Sequence, residues 1–155
     1  MGKAKLTTIK KQWDDGYKEG RSRRPKIDLS KQINRMAQIV VRDIKDGLNQ
    51  SKDIGGSPFK PLSSATIKRK KKKGYPKNPL IGTGTMQKVY IKDRASKSKQ
   101  SANVIIPKTR QEVGFYHNEG KGNLPEREWF GVGARLKGKL DKYVKKEFSR
   151  ILKIK

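Results

Sequence analysis

The residue types that could perform chemistry are concentrated in one stretch, Val113–Gly133, with the sequence VGFYHNEGKGNLPEREWFGVG. It contains His117, the single histidine of the chain, two residues before Glu119, and a second acidic pair at Glu126 and Glu128. A histidine beside a carboxylate, or two carboxylates close together, are groups that general acid–base catalysis uses. An active site, if the chain had one, would be expected here.

The surroundings of these residues argue against an enzyme. A paired-carboxylate hydrolase holds its two acids about 5–9 Å apart in a cleft, and a Gly-rich loop does not provide that rigidity. The chain has no cysteine nucleophile and no Gly-x-Ser-x-Gly elbow. Asp93 is the only acid in residues 54–110, too few for a metal-dependent nuclease. We expect no catalysis, cofactor or metal, and expect His117 beside Asn118 to be a structural hydrogen-bonding residue.

The charge of the chain is its most unusual property. Forty Lys and Arg residues against 14 Asp and Glu residues give a formal net charge of +26. Such a charge attracts polyanions such as duplex DNA, although a basic surface can also simply keep a lone domain soluble. Residues 111–133 are instead net negative, with four acidic residues against two basic ones. We expect this acidic segment to have a basic partner, either another copy of the chain or a ring neighbour.

A basic run of six consecutive cations lies in the middle of the chain, formed by Lys68, Arg69, Lys70, Lys71, Lys72 and Lys73. These charges repel one another, so they are expected to stay solvated or to contact phosphate or carboxylate groups. The sequence has no recognition-helix pattern, zinc-finger spacing or aromatic RNA-stacking motif. DNA binding would therefore be sequence-independent contact between lysines and phosphates.

Periodicity predicts the elements that position these residues. Apolar residues over Leu29–Leu48 recur at spacings of three and four, which predicts a first helix beginning near Asp28 or Ser30 and supplying most of the core. A second stripe, Leu136–Leu152, predicts a helix over residues 134–155. We expect the two helices to pack antiparallel across a small sheet.

The middle of the chain predicts shorter elements. A Gly- and Pro-rich loop over residues 51–62 precedes a short helix capped by Ser63 or Ser64. Strands are predicted at Val89–Ile91 and Asn103–Pro107, joined by a polar loop, with a third at Glu112–Phe115. The expected class is α+β, with a small antiparallel sheet packed against the first and last helices.

Residues 1–27 show no sustained period and predict an extended N-terminal arm, which leaves residues 28–155 as a single domain. Trp13 and Tyr17 are exceptions in this arm. They either dock into a neighbour's groove or fold back onto their own core. No apolar run approaches the roughly 20 residues that span a bilayer, and the start lacks the apolar region of a signal peptide, so we expect a soluble protein with no membrane partner.

Three sequence blocks occur in a characteristic order: Ser57–Ser63 (SPFKPLS) followed by Thr66 and Lys70, then Leu80–Met86 (LIGTGTM), then Tyr116–Gly120 (YHNEG) with Leu124–Gly131 (LPEREWFG). Together they resemble the phage virion morphogenesis family, the tail-completion and head–tail joining proteins of tailed phages. The third block is the most specific. The order, the spacing and the flanking helices agree over about residues 28–152.

The resemblance implies a structural ring subunit without catalysis, located in the neck or tail of the virion and assembled in the host cytoplasm. It would complete or terminate the tail and join it to the head connector. Its partners would be copies of itself, with a hexamer expected and a dodecamer as the alternative, together with the tail tube, the connector or adaptor and other neck proteins. Non-specific contact with the passing genome DNA is also implied. The alternative function is a sequence-independent, basic DNA-binding protein.

A closed ring needs a heterologous interface, in which one face of each subunit fits a different face of the next. We predict that the acidic loop of one subunit contacts the basic run of its neighbour, or that the basic run faces the DNA channel. Pro125 would stiffen the loop, Arg127 would hold a carboxylate through two hydrogen bonds, and Trp129 with Phe130 would fill an apolar pocket. The predicted interface residues are Trp13, Tyr17, Phe59, His117, Asn118, Glu119, Pro125, Glu126, Arg127, Trp129 and Phe130.

Overall fold

The longest helix, α1 (Ser30–Gln50), lies at the centre of the fold. The computed structural model describes residues 27–151. One face of α1 buries Ala37, Val40, Ile44 and Leu48, whose spacing places them on one side of the helix. The first predicted helix is confirmed. The predicted arm, with Trp13 and Tyr17, lies outside the described residues except for Ile27.

The last helix, α4 (Ala134–Ile151), packs directly on α1 through the buried side chain of Leu136. Arg135 at its start contacts Asp43, late in α1. Burial raises the pKa of Tyr143 further along α4, and the nearby charge of Arg35, early in α1, opposes that rise. The two helices therefore run antiparallel, as predicted. The sheet does not separate them, because it packs against α1.

The sheet in the described part of the chain is a hairpin of β1 (Tyr90–Asp93) and β2 (Asn103–Ile105), which pair antiparallel as predicted. The register is irregular between Ile91 and Asp93. The connecting loop is fixed to α1, because the amide of Asn34 exchanges hydrogen bonds of 2.9 and 2.8 Å with the backbone O and N–H of Ala95. The hairpin is therefore held at the N-terminal half of α1.

The third predicted strand, Glu112–Phe115, is wrong, since these residues lie in helix α3 (Lys108–Glu119). Pro107 stands before the helix, and Gly120, with a φ of 66°, ends it. This is the usual asymmetry of proline at the start and glycine after the end. The β-branched and aromatic residues that suggested a strand are exposed in the helix, where the small Gly114 faces the core.

A short helix, α2 (Ser64–Lys72), follows the loop of residues 51–62. The Ser63 hydroxyl accepts a hydrogen bond from the Thr66 N–H at 3.3 Å, which confirms the predicted cap. A single 3₁₀ turn, Thr85–Gln87, comes before the hairpin. The four helices and the small antiparallel sheet of residues 27–151 confirm the α+β class. Their shared core is formed by Val40, Ile44, Leu48, Phe59, Ile81, Met86, Val89, Ile106, Trp129 and Leu136.

None of the described helices has the length and apolar character to cross a membrane.

Candidate functional site

The two halves of the His117–Trp129 region are joined through Asn118, at the end of α3. Its side-chain oxygen accepts hydrogen bonds from the N–H groups of Trp129 and Phe130, both at 3.1 Å. The indole N–H of Trp129 donates to the carbonyl of Gly114 at 3.0 Å, and only 2% of this tryptophan is exposed. A Cβ at Gly114 would lie 2.9 Å from the indole, so glycine allows this close approach. The motif that looked like a docking loop is thus fixed to its own helix.

This arrangement corrects the predictions for Trp129 and Phe59. Trp129 fills a pocket in the core of its own chain rather than one in a neighbour. Phe59 is also buried in that core. Phe130 is half-buried against the core, with its ring centroid 5.4 Å from that of Trp129. The physical reason is that the core beneath α1 needs large apolar side chains, and a 155-residue chain with little apolar content has few to spare.

Arg127 joins the loop of residues 51–62 to the segment around Trp129. Its Nε and Nη2 donate to the carbonyl of Lys60 at 3.0 and 2.9 Å, and Nη2 also donates to Pro61 at 3.1 Å. Only 4% of Arg127 is exposed, and burial lowers its pKa. The prediction that this guanidinium holds a neighbour's carboxylate is corrected, since these donors are used within the chain.

His117 lies beside Arg127 and is half-buried. Its backbone carbonyl accepts a 2.8 Å hydrogen bond from the Arg127 N–H. Its Nδ1 atom is buried and has no hydrogen-bond partner among residues 27–151. Burial, and then the positive charge of Arg127, lower the pKa of His117, which keeps the ring neutral near pH 7. His117 therefore forms a structural hydrogen bond through its backbone carbonyl, as expected, whereas Nδ1 of its ring has no hydrogen-bond partner among residues 27–151.

The acidic side chains remain on the surface. Glu112, Glu119, Glu126 and Glu128 are all exposed, and none forms an ion pair within the described residues. Gly120, which follows Glu119, packs closely on the backbone of Glu126, because a Cβ at Gly120 would lie 3.0 Å from the Glu126 nitrogen. We call these four glutamates the acidic surface. Pro125 is half-buried within the same loop.

The basic run is carried by α2 and Lys73, and five of its six cations are exposed. Lys70 is the exception. Only 9% of it is exposed, and its ammonium donates to the carbonyls of Asn78 and Ile81. Burial lowers its pKa. The prediction of a solvated or phosphate-binding role is corrected for Lys70, which instead holds the turn over residues 78–81 against α2. We call the other five the basic surface: Lys68, Arg69, Lys71, Lys72 and Lys73.

A groove of 380 Å³ separates α2 from α3, and we call it the α2–α3 groove. Its lining combines apolar side chains with several cations and includes His117. Sequence patterns do not predict this groove, because they place a strand at Glu112–Phe115 where α3 lies and assign no role to Arg110. Within residues 27–151, His, Asp and Glu side chains do not form a group of three that could hold a metal ion.

Comparisons of the chain with protein-family models, with curated proteins and with solved structures gave no match.

Sequence reasoning also missed a buried charge cluster between the two long helices. Asp43, only 2% exposed, accepts from Arg135 at 3.0 Å and from Lys139 at 2.8 Å. Burial favours a higher pKa for Asp43, but the hydrogen bonds and charges of these two cations outweigh it, so the pKa is lowered. The sequence signal for this cluster is Asp43 itself, an acidic residue that falls between Val40 and Ile44 within the apolar stripe of α1.

Proposed function

We propose that the chain is a structural ring subunit in the neck or tail of a tailed bacteriophage, which completes the tail and joins it to the head connector. The placement of the three family-like blocks supports this proposal. Ser57–Ser63 supplies the carbonyls that Arg127 binds, and Leu80–Met86 supplies a carbonyl for Lys70. The two parts of the third block are joined through Asn118. Residues far apart in sequence thus form one hydrogen-bonded framework.

The observation that carries the proposal is the pair of oppositely charged surfaces. The acidic surface stands on a segment fixed by Arg127 and Trp129, and the basic surface stands on α2, fixed by Lys70. No ion pair joins the two surfaces within residues 27–151. A head-to-tail contact between copies requires two complementary surfaces on each subunit, here one acidic and one basic. Such contacts form a closed ring when the rotation between neighbouring subunits brings the last one back to the first.

Charge alone would not hold such a ring together, since an exposed ion pair contributes about 0–1 kcal/mol. Apolar side chains near the acidic surface provide the remainder. Phe115, Tyr116 and Leu124 are each at least 36% exposed, and they are close in sequence to Glu112, Glu119 and Glu126. Exposed apolar side chains rimmed by polar ones are typical of protein–protein interfaces. The acidic surface thus combines charge for orientation with apolar area for affinity.

A charge-swap experiment tests this contact. Glu128→Lys reverses one exposed charge of the acidic surface, and we expect rings in electron micrographs, and the assembled species in sedimentation, to be lost. Lys71→Glu in the same chain should restore them, because the pair is then attractive again. The control is Asp141→Lys, which makes the same change of net charge at an exposed position of α4.

Rings that survive Glu128→Lys and Glu126→Lys together would overturn the proposed contact. A wild-type chain that is found as an isolated protomer away from the axis of the particle would overturn the ring itself. Arg127→Ala does not test the interface, because it removes hydrogen bonds inside the subunit and would disturb assembly through folding.

Sequence-independent DNA binding is the second candidate, and the five exposed cations of the basic surface favour it. If this is the function, purified monomer binds duplex DNA tightly and its affinity falls steeply with salt. Lys71→Glu with Lys72→Glu should then reduce the salt slope. Absence of binding at ~150 mM salt would exclude this candidate as the main function, since the screening length there is about 8 Å.

A further inference from the structure

The α2–α3 groove combines an apolar floor with a cationic rim. We call its buried and half-buried apolar lining, Leu80, Ile81 and Met86, the floor. We call its exposed cations Arg69 and Lys73, together with the half-buried Arg110, the rim. None of the residues that line it is acidic. A ligand that fits both parts carries an apolar side chain for the floor and carboxylates for the rim.

A nucleic acid backbone fits this groove poorly. Phosphates would meet the rim cations, but the sugar–phosphate chain has nothing comparable to place on the floor of Leu80, Ile81 and Met86. An acidic peptide with an aromatic side chain satisfies both parts, because an aromatic ring supplies a large apolar area and few rotatable bonds. The chemistry of the groove therefore favours a protein segment.

The chain contains one segment of this type outside residues 27–151. The last residues, 152–155 (LKIK), have no acid. In residues 1–26 the only acids are Asp14, Asp15 and Glu19, and the only aromatic residues are Trp13 and Tyr17. All five fall within seven residues, WDDGYKE, in an otherwise basic region. We call this stretch, Trp13–Glu19, the acidic–aromatic segment.

We propose that the α2–α3 groove binds the acidic–aromatic segment, with the indole of Trp13 on the apolar floor and Asp14 and Asp15 against the rim cations. Opposite charges orient the segment, and burial of the indole provides affinity. The proposal does not depend on the ring, because it requires only a groove and a segment of the same chain or of a second copy.

The chain between Trp13 and α1 is long enough for the segment to reach the groove of the same chain. Trp13 precedes Ile27 by 14 residues, which extend to about 46 Å at ~3.3 Å per residue. Ile27 is next to the start of α1, and the Asn78 turn contacts Asn49 at the other end of that helix, close to the groove. The 21 residues of α1 span about 32 Å. The segment can thus reach the groove of its own chain.

Photo-crosslinking in the full chain tests this placement. A photoreactive phenylalanine analogue replaces Trp13, the ¹⁵N-labelled and unlabelled chains are mixed before irradiation, and the linked peptides are identified by mass spectrometry. We expect links to groove residues in segments 62–86 and 110–117. The isotope pattern shows whether the groove belongs to the same chain or to a second copy. The same analogue at Leu6, outside the acidic–aromatic segment, should not link to the groove.

A pair of variants then tests the role of the rim charge. Arg110→Glu should reduce the yield of groove links at least fivefold, whereas Lys108→Glu, an exposed residue of α3 that does not line the groove, should leave the yield unchanged. Links from position 13 to other surfaces, or a yield that Arg110→Glu does not change, would overturn the proposal. Ring formation is scored separately by electron microscopy, so rings without groove links contradict this inference alone.

Discussion

Gly47 of α1 and Arg135 of α4 occupy one shared space. A Cβ at Gly47 would lie 2.5 Å from Nη2 of Arg135 and 3.1 Å from the carbonyl oxygen of Lys52. The guanidinium cannot move away freely, because it donates to both carboxylate oxygens of Asp43 and to the carbonyl of Asp53 at 3.1 Å. The glycine thus makes room for the ion pair that joins the two long helices.

Replacing Gly47 with alanine should destabilise the protein, although the same change stabilises most helices. Glycine-to-alanine changes in a helix normally stabilise by about 0.5–1 kcal/mol. Gly47→Ala should instead lower the free energy of unfolding by about 1–3 kcal/mol, because the added methyl displaces Arg135. Gly138→Ala in α4 is the matched control, since nothing lies within 4 Å of its Cβ position. It should raise the free energy of unfolding, and urea unfolding of both variants measures the difference.

The same relationship predicts a coupling between the two positions. In an Arg135→Ala background the guanidinium that an added methyl would contact is absent. Gly47→Ala should therefore lower the free energy of unfolding by less in this background than in the wild type. Equal costs in the two backgrounds would show that the guanidinium does not determine the need for glycine.

Lys70 should behave differently from its neighbours in the basic run. Lys70→Met removes the ammonium group, which donates hydrogen bonds to the carbonyls of Asn78 and Ile81. These carbonyls then lack a donor, and an unsatisfied buried polar group costs about 1–3 kcal/mol. Lys71→Met, at an exposed position one residue later, should change the free energy of unfolding by less than about 0.5 kcal/mol. Denaturant titrations of both variants make the comparison. Similar values for the two would mean that Lys70 is as solvated as the rest of the run.

His117 should make the stability of the protein depend on pH. Its pKa is lowered from 6.5 by burial and by Arg127, so the unfolded chain binds a proton at a higher pH than the folded chain. Stability should therefore fall as the pH decreases through 6.5, by at most about 1.4 kcal/mol per pH unit.

The chain has one histidine, which makes this measurement clean. Urea unfolding between pH 8 and pH 5 should show the loss in the wild type and a nearly flat profile in His117→Gln. If both proteins lose stability alike across this range, the ionisation responsible is not that of His117.

The apolar stripe predicted α1, and two β-branched segments predicted the hairpin. Each of these patterns places apolar side chains on one face of its element. They could not distinguish Trp129 as a core residue from Trp129 as an interface residue, since both environments bury an indole. Lys70 looks like any other member of the run, and only the packing of the turn at Asn78 makes it different. The pairing of Asp43 with Arg135 spans 92 residues, which no local period records. The strand predicted at Glu112–Phe115 overlooked Pro107 and Gly120, which mark the limits of α3.

The small hairpin has a consequence for the behaviour of the protein at high concentration. Within the described chain, β1 and β2 each pair along one side, which leaves their outer backbone groups available for strand addition by other molecules. Lys92 occupies the irregular position between Ile91 and Asp93, and a bulge with a lysine on a short edge strand is a common protection against such pairing. The hairpin is therefore built to resist edge-to-edge aggregation.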